Sequence, residues 1–515
     1  MANTMSKYGS NTNRPLSEIV GLSTDTKPTD SIEGIKIQNG SSFRELDTGK
    51  RFLFDAENTT WNEVSSGGGG GGSTLIEKSI TENGIYNASD DNADGYSKVA
   101  VDVPNTYTAQ DEGKVVNNGV LVAQTAMTIT QNGVYDTTGI NRITVNIASS
   151  AIVSRTTDFV NNVSSFDGDI STHPVYMGIN RCNVSDDGTI NAYYGDSGYV
   201  EDGSNGQVMV KIPKFYYKVT PDSDGGLDGV NIRKCTWEIS ASADEGFTLH
   251  PAFYDASGNE IDYFLYGAFD GVGQRDSAYG TSYNASTDKL SSVAGSSMLP
   301  TNNLTRATAR RMATNRGSGW YSAGVKQTMA VQILMSVEYG FNSQIGIGQG
   351  VVSASAATYA GQTTGNVTSG TQDNKTTPVN WRGIENFWGN IWDWIDGLNV
   401  NNRIPYFCNS YTFADDTATG YTQISFSLPS SNYITALGYD SNNPWVLLPS
   451  ESGSANPTEP IGDYVASSSG WRVAQLGGDW SSDSFAGAFC WVCSYINYDV
   501  QNNVGARIMF IPSAT

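Results

Sequence analysis

Histidine and cysteine are scarce in this chain of 515 residues, which contains 2 His and 5 Cys. So few His residues limit metal binding and acid–base catalysis by imidazole. Five scattered Cys do not form the disulfide framework of a small secreted protein. We therefore expect synthesis in a reducing cytosol, no metal or other cofactor, and a protein that is not an enzyme.

Charged residues are also few, at 16% of the chain, and they leave a formal net charge of −22. Nucleic-acid binding depends on Lys and Arg neutralising phosphates, so this charge opposes nucleic acid as a partner. No apolar run approaches the roughly 18 residues of a membrane span. The first ten residues lack the apolar core of a signal peptide. We expect a soluble protein without membrane insertion.

Glycine, in contrast, is concentrated at one place, the run Gly67–Gly72 flanked by serines. Such a run has no side chains to bury and favours a flexible linker. Residues 1–66 precede this linker, 67–73. Within them, residues 42–54 place a turn, Asp47–Lys50, between two apolar-patterned runs and predict a β-hairpin. We interpret residues 1–66 as an attachment region that orders against other proteins.

An internal repeat follows the linker. Residues 79–87, SITENGIYN, are echoed at 128–136, TITQNGVYD; residues 96–103, YSKVAVDV, are echoed at 140–147, INRITVNI. Apolar and polar residues alternate as in a half-buried strand. Asn83-Gly84 and Asn132-Gly133 are typical of tight hairpins. Residues 74–150 are therefore predicted to be tandem small β modules that act as a spacer.

The remaining residues, 151–515, contain no comparable linker and are treated as one domain. Residues 208–219 predict a strand in which Pro213 marks a bulge or an edge. Thr305 is a candidate cap for a helix over 306–315, and residues 329–339 predict a second helix with one apolar stripe. Asp222, Asp224 and Asp228 depart from calcium-loop spacing and indicate a solvated turn.

Four Trp lie within residues 381–394, among Asn386, Asn390 and Asp393. Buried indole rings need acceptors for their N–H groups, and we expect these three polar residues to serve as acceptors and to brace turns. A second conspicuous stretch is GGDW at 477–480, and a third is VGARIMF at 504–510.

Together these stretches resemble the C-type-lectin-like fold of formylglycine-generating enzymes and of the variable proteins of diversity-generating retroelements. Residues 383–394, GIENFWGNIWDW, are similar to the signature G-x-x-N-x-x-G-N-V-W-E-W, with Ile391 for Val and Asp393 for Glu. Residues 477–480 match G-G-x-W, and 505–507 match the closing G-A-R. The resemblance covers roughly residues 151–515 and implies an α+β fold, a C-type-lectin-like domain preceded by small all-β modules.

The chain also resembles bacteriophage virion proteins at 202–210, 215–218 and 246–253, and upstream at 40–50 and in the Asn-Gly-Tyr repeats. The oxidase chemistry of the enzyme branch needs a particular cysteine pair that binds copper. Here only Cys490 and Cys493 are candidates. They lack the spacing and the His-Ser-Tyr context of that branch, and on an exposed strand they would face opposite sides.

In the retroelement-diversified relatives, substitutions accumulate between G-G-x-W and G-A-R. Here that interval, 479–502, mixes aromatic with small polar residues, as antibody-like sites do. The resemblance makes eleven residues ligand-facing and Trp480, Trp491, Gly505 and Arg507 scaffold. The eleven are Asp479, Ser481, Ser482, Asp483, Phe485, Val492, Ser494, Tyr495, Asn497, Tyr498 and Asp499.

The resemblance and the layout together predict a phage adhesin, a tail or head fibre on the virion surface that binds a host cell-surface protein or glycan. Residues 1–66 would contact other virion proteins, and a homotrimer is expected. The alternative is a capsid or tail decoration protein that binds no receptor.

Overall fold

The computed structural model describes residues 4–6, 18–32, 35–37, 41–45, 50–55, 59–64, 78–80, 84–87, 98–101, 126–129, 133–136, 142–145, 152–454 and 460–514. Contacts divide the chain into an N-terminal unit, Met1–Ser149, and a C-terminal unit, Ser150–Thr515. The predicted Gly linker, 67–73, lies outside the described residues.

The N-terminal unit begins with a sheet of strand order β1-β2-β5-β6-β7 and a separate β3-β4 pair. The buried side chains of Ile19, Phe43 and Phe54 form its core. The predicted hairpin is confirmed, because β5 and β6 pair antiparallel; residues 46–49 of its turn lie outside the described residues. The strands are β1 Thr4–Ser6, β2 Glu18–Gly21, β3 Ser31–Ile32, β4 Ile35–Lys36, β5 Ser42–Glu45, β6 Arg51–Asp55 and β7 Thr60–Val64.

The repeats supply three strands each. The first repeat contains β8 Lys78–Ile80, β9 Gly84–Asn87 and β10 Lys98–Val101, and the second contains β11 Ala126–Ile129, β12 Gly133–Asp136 and β13 Arg142–Val145. They form two sheets, β12-β10-β8 and β11-β13-β9. The strands that flank each Asn-Gly therefore lie in different sheets, and the predicted hairpins are wrong. Asn83 and Asn132 lie outside the described residues.

The C-terminal unit is mostly β, with four α-helices in its described part. The α+β expectation therefore holds only in part, because short strands joined by polar turns dominate and only two long segments have helical periodicity. The helices are α1 Pro174–Met177, α2 Arg306–Thr314, α3 Val325–Tyr339 and α4 Ser343–Gly346, and single 3-10 turns cover Pro251–Phe253 and Asp483–Phe485.

The strands of this unit form one large sheet, two sheets of intermediate size and several small ones. The strands are β14 Ile152–Asp158, β15 Val163–Asp167, β16 Asn180–Val184, β17 Ile190–Tyr193, β18 Gln207–Pro213, β19 Tyr216–Pro221, β20 Leu227–Asp228, β21 Asn231–Ile232, β22 Lys234–Ser240, β23 Thr248–Leu249, β24 Tyr263–Gly267, β25 Val272–Arg275, β26 Ala278–Gly280, β27 Lys289–Ser291, β28 Trp320–Ser322, β29 Asn380–Trp381, β30 Ile384–Glu385, β31 Trp392–Asn401, β32 Ile404–Cys408, β33 Tyr421–Gln423, β34 Ser431–Leu437, β35 Pro449–Gly453, β36 Tyr464–Ser467, β37 Trp471–Gly477, β38 Gly487–Tyr495, β39 Val504–Gly505 and β40 Ile508–Phe510.

The two predicted helices differ in how well local sequence defined them. Thr305 caps α2 as predicted, accepting a hydrogen bond from the backbone N–H of Thr308 at 3.1 Å. Helix α3 begins four residues earlier than predicted, at Val325, after Gly324, which provides no side-chain cap. It is buried on nearly all sides, including at Gln327 and Gln332, so one apolar stripe does not describe it.

Pro213 ends a strand and does not bulge one. The segment predicted as one strand forms β18 and β19, which belong to two different sheets. Proline lacks the N–H that would extend the β-ladder, and β18 lies between β16 and β24 in the interior of its sheet.

The large sheet has the order β33-β32-β31-β37-β38-β36-β34-β35, and β39 also pairs with β31. Strand β31 lies between two cores. Ile395 packs with α3 residues such as Ile333 in one buried cluster. Trp394 packs with α2 residues such as Met312 in the other. The strand is therefore fixed from both faces, and it holds β37 and β38 in place.

Candidate recognition surface

The first motif and the closing G-A-R motif meet at Arg507, whose side chain is fully buried. Its guanidinium binds the carboxylates of Asp270 at 2.5 Å and Asp393 at 3.3 Å. It also donates to the backbone carbonyls of Glu385 at 2.9 Å and Asn386 at 3.0 Å. A buried guanidinium is stable only when such partners satisfy it. The closing G-A-R motif therefore fastens the first motif to the Asp270 loop.

Two carboxylates share this one guanidinium, so each carboxylate disfavours ionisation of the other. Burial raises the pKa of Asp270, and the neighbouring Asp393 raises it further, against the opposing effect of Arg507. Burial likewise raises the pKa of Asp393. We refer to Asp270, Asn386, Asn390, Asp393 and Arg507 as the Arg507 frame.

Asn386 and Asn390 brace turns as predicted. Their φ angles of 51° and 62° lie in the left-handed region, which Asn tolerates better than most side chains. The amide of Asn390 donates to Asp270 at 2.7 Å and accepts from the backbone N–H of Thr358 at 2.7 Å.

For three of the four Trp residues, the predicted acceptors of the indole N–H groups are wrong. Trp394 donates to the carbonyl of Leu304 at 2.8 Å, Trp381 to Glu338 at 2.9 Å and Trp388 to the carbonyl of Gly348 at 3.2 Å. These acceptors lie far away in sequence, so local spacing could not reveal them.

The G-G-x-W motif abuts the first motif. The carbonyl of Gly477 accepts from the backbone N–H of Gly389 at 3.2 Å. Gly477 has a φ of 101°, and a Cβ atom there would lie 3.1 Å from the carbonyl oxygen of Phe387. The motif thus needs glycine both for its backbone conformation and for close packing.

Asp479 lies below the surface, at 3% exposure. Its carboxylate accepts from the backbone N–H of Ser481 at 2.9 Å, the hydroxyl of Ser482 at 2.8 Å and the amide of Asn503 at 2.5 Å. Asp479 therefore braces the turn that carries the exposed Ser481 and the half-buried Ser482.

An aromatic cluster of Tyr433, Tyr464 and Phe485 lies at the start of β38, and we call it the aromatic patch. Phe485 is 46% exposed although its ring centroid lies only 4.6 Å from that of Tyr464 and 5.6 Å from that of Tyr433. The hydroxyl of Tyr433 bonds that of Ser484 at 2.7 Å. The exposed ring is thus supported from beneath.

The backbone that carries this patch is also held. Asp483, at a φ of 51°, forms an ion pair with Lys375. The amide of Gln344 donates to the carbonyls of Asp483 at 3.0 Å and Ala486 at 2.6 Å. Asp483 is exposed, so its ion pair with Lys375 lies at the surface.

The side chains in the middle of β38 are buried or half-buried. Val492 and Ser494 are half-buried, and Cys490 and Cys493 are buried, so the cysteines do not lie on an exposed strand as expected. Burial raises the pKa of Cys493 to about 12 and that of Cys490 well above its usual value. Both thiols stay protonated at neutral pH, which disfavours the nucleophilic or metal-binding thiolate.

A second exposed group follows β38, and we call residues 496–499 the Tyr498 turn. The carboxylate of Asp499 accepts from the backbone N–H of Ile496 at 2.8 Å, and the carbonyl of Ile496 accepts from Asp499 at 3.1 Å. Tyr498, at the tip of this turn, is 72% exposed, whereas Tyr495 and Asn497 are half-buried.

The predicted ligand-facing residues therefore do not form one continuous patch. The nine residues of β38 separate the aromatic patch from the Tyr498 turn. At ~3.3 Å per residue they span roughly 26 Å. Sequence reasoning missed Tyr433, Tyr464, Lys375 and Gln344, which lie outside the 479–502 interval, and no local signal pointed to them.

Two aspartates of the predicted solvated turn form ion pairs with basic side chains. Asp222 pairs with Lys234 at 2.7 Å and Asp228 with Arg233 at 2.9 Å. In the part of the chain that the structure describes, no group of three or more His, Cys, Asp or Glu could hold a metal ion. No helix among the described residues has the length and apolar character needed to cross a membrane.

No protein-family model matches the chain, and no curated protein matches it. Structural comparison finds solved structures titled Major Tropism Determinant. The U1 variant has a TM-score of 0.22 at 10% identity and covers 95% of this chain and 98% of that chain. The M1 variant has a TM-score of 0.23 at 10% identity, with 94% and 96% covered. The P3c variant has a TM-score of 0.21 at 10% identity, with 95% and 98% covered. Scores this low support no functional conclusion, so the function is inferred from the chain's own residues.

Proposed function

We propose that the chain is a bacteriophage virion adhesin with a C-type-lectin-like domain that recognises the host cell surface. The observation that carries this proposal is the aromatic patch. Phe485 is exposed, yet its ring packs against Tyr464, and Asp483 of the ion pair with Lys375 lies two residues before it. A ring held in place before binding loses little side-chain entropy when a partner covers it.

The residue types at both ends of β38 fit recognition better than catalysis. Aromatic anchors with small polar neighbours supply contact area and adaptable hydrogen bonds. Phe485 and Tyr498 are the anchors, and Ser481, Asp483 and Asn497 are polar neighbours. The ligand is a host cell-surface protein or glycan large enough to touch one or both ends.

The layout of the chain supports the same role. Residues 1–66 attach to other virion proteins, the Gly linker and the repeats act as a spacer, and the C-terminal unit carries the recognition surface. A homotrimer multiplies weak single contacts into useful avidity. Light scattering of the purified chain should then give about three times the chain mass of 55.2 kDa, and a mass near one chain would contradict the trimer.

The direct test is binding of the labelled full chain to intact bacteria from the phage's host range. The variant Phe485→Ala should bind about 30-fold more weakly or worse, because truncation of a hot-spot residue costs about 2 kcal/mol or more and each 1.4 kcal/mol is tenfold. Val367→Ala, which removes an exposed apolar side chain at 57% exposure elsewhere, is the matched control and should bind like the wild type.

Binding by neither the folded wild type nor the control would contradict the adhesin and favour a decoration protein. Equal binding by Phe485→Ala and the wild type would remove the aromatic patch from the proposal.

Diversification of the interval 479–502 belongs to the same proposal. Among related isolates, differences should concentrate at exposed residues such as Ser481, Phe485 and Tyr498. They should spare Asp479, whose carboxylate holds the turn. Differences spread evenly over residues 151–515 would contradict diversification.

A further inference from the structure

The two repeats in the N-terminal unit share their sheets in an unusual way. In each repeat the first and third strands pair in parallel. Val99 of β10 faces Lys78 of β8, and Ile143 of β13 faces Met127 of β11. A parallel pair needs a crossover connection, and here the crossover contains the second strand of the same repeat.

That second strand pairs with the other repeat. Strand β12 of the second repeat pairs antiparallel with β10 of the first, with Ala100 opposite Val134. Strand β9 of the first repeat pairs antiparallel with β13 of the second, with Thr144 opposite Ile85. The two cross-repeat ladders have the same length and the same register.

The register agreement holds position by position. Gly84 faces Val145, and the equivalent Gly133 faces Val101. Asn87 faces Arg142, and the equivalent Asp136 faces Lys98. Each repeat thus gives its second strand to the other and receives the equivalent strand in return, which is the pattern of a two-fold strand exchange.

This topology makes a single repeat incomplete. Without its sister, one repeat consists of a two-stranded parallel pair and a crossover strand with no ladder partner in either sheet. Two-stranded sheets are marginal in water, whereas three strands begin to support independent stability. The exchange converts two incomplete sheets into two three-stranded sheets.

We propose that the repeats form one obligate strand-exchanged unit, in which the free edge of each third strand, β10 or β13, is a binding surface for the second strand of the sister repeat in the same chain. The spacer is then a single body with no hinge between its repeats. This inference does not depend on the proposed adhesin function.

Cross-strand cysteine pairs in the full chain test the exchange. Facing residues of antiparallel strands have Cα atoms about 4.5–5.5 Å apart, a distance that a disulfide spans. The double variant Ala100→Cys with Val134→Cys should cross-link under mild oxidation and run as a monomer on non-reducing gels. The equivalent pair, Thr144→Cys with Ile85→Cys, should do the same.

The matched control is Ala100→Cys with Ile85→Cys, because Ile85 is the position in the first repeat that corresponds to Val134. It should stay reduced. The five native cysteines are buried, and the parent chain, which contains only these cysteines, is the blank for cross-linking.

Cross-linking of 100 with 85 but not of 100 with 134 would overturn the proposal and make each repeat a self-contained module. Cross-linking of 100 with 134 between two chains, seen as a dimer band, would also overturn it, because the donor strand would then come from a second copy.

Discussion

The Arg507 frame and the surface at the ends of β38 belong to the same unit and differ in what their polar groups contact. In the frame, the carboxylates of Asp270 and Asp393 contact a guanidinium that has no exposure. At the surface, Asp483 pairs with Lys375 while exposed, and Tyr498 projects into solvent. Substitutions in the frame should therefore change stability, whereas substitutions at the surface should change binding.

The largest expected effect is in the frame. Arg507→Met leaves two buried carboxylates without their cation and should lower the free energy of unfolding by about 3–5 kcal/mol. Denaturant unfolding measures it. Arg311→Met removes an exposed arginine of α2 and should stay within about 0.5 kcal/mol of the wild type. Similar values for the two variants would erase the difference between frame and surface.

A smaller effect is expected at Asn390, where backbone conformation and hydrogen bonds both contribute. Asn390→Ala should cost about 2–3 kcal/mol, since it removes the bonds to Asp270 and Thr358 and strains a left-handed residue. Asn390→Gly loses the same bonds without the strain and should be less destabilised. A glycine variant as unstable as the alanine variant would show that φ contributes nothing.

Asp463 lies directly before Tyr464 of the aromatic patch. The pH dependence of its contribution to stability further separates buried from exposed polar groups. Asp463 is 1% exposed and accepts from the backbone N–H of Phe489 at 2.7 Å. Burial raises its pKa well above the usual value. The folded chain therefore holds a proton that the unfolded chain releases above a pKa of about 3.9.

Stability from this group is then greatest at acid pH and is lost as the pH rises toward the pKa of the folded state, at about 1.4 kcal/mol per pKa unit. Asp463→Asn cannot ionise and should lose less stability than the wild type between acid and neutral pH. Unfolding of both proteins across that range is the measurement. Parallel curves for the two proteins would contradict a protonated Asp463.

The smallest stability effects belong to the surface. Phe485→Ala should cost about 1 kcal/mol, because the ring loses its contacts with Tyr433 and Tyr464. Tyr498→Ala should stay within about 0.5 kcal/mol, because its side chain is 72% exposed. Thermal unfolding measures both effects. A loss as large as that expected for Arg507→Met would show that the residue stabilises the fold as the frame residues do.

Local signals in the sequence predicted local structure well. The cap at Thr305 and the hairpin of β5 and β6 need only neighbouring residues, and both are confirmed. The start of α3 at Val325 has no capping side chain, so packing and not a local signal defines it.

Long-range partners could not be predicted. Leu304 accepts the indole N–H of Trp394 from 90 residues away, and Tyr433 of β34 packs against Phe485 of a 3-10 turn. The similarity of the two repeats likewise does not reveal which copy supplies each strand, because both arrangements satisfy the same sequence pattern. These features depend on tertiary packing, which one sequence does not encode locally.

The most direct test of the account combines cell binding and thermal unfolding for one double variant of the full chain, Phe485→Ser with Tyr498→Ser. The account predicts binding to host-range bacteria at the level of an unrelated protein, with an unfolding midpoint within a few degrees of the wild type. Undiminished binding by the folded double variant would contradict recognition at the ends of β38.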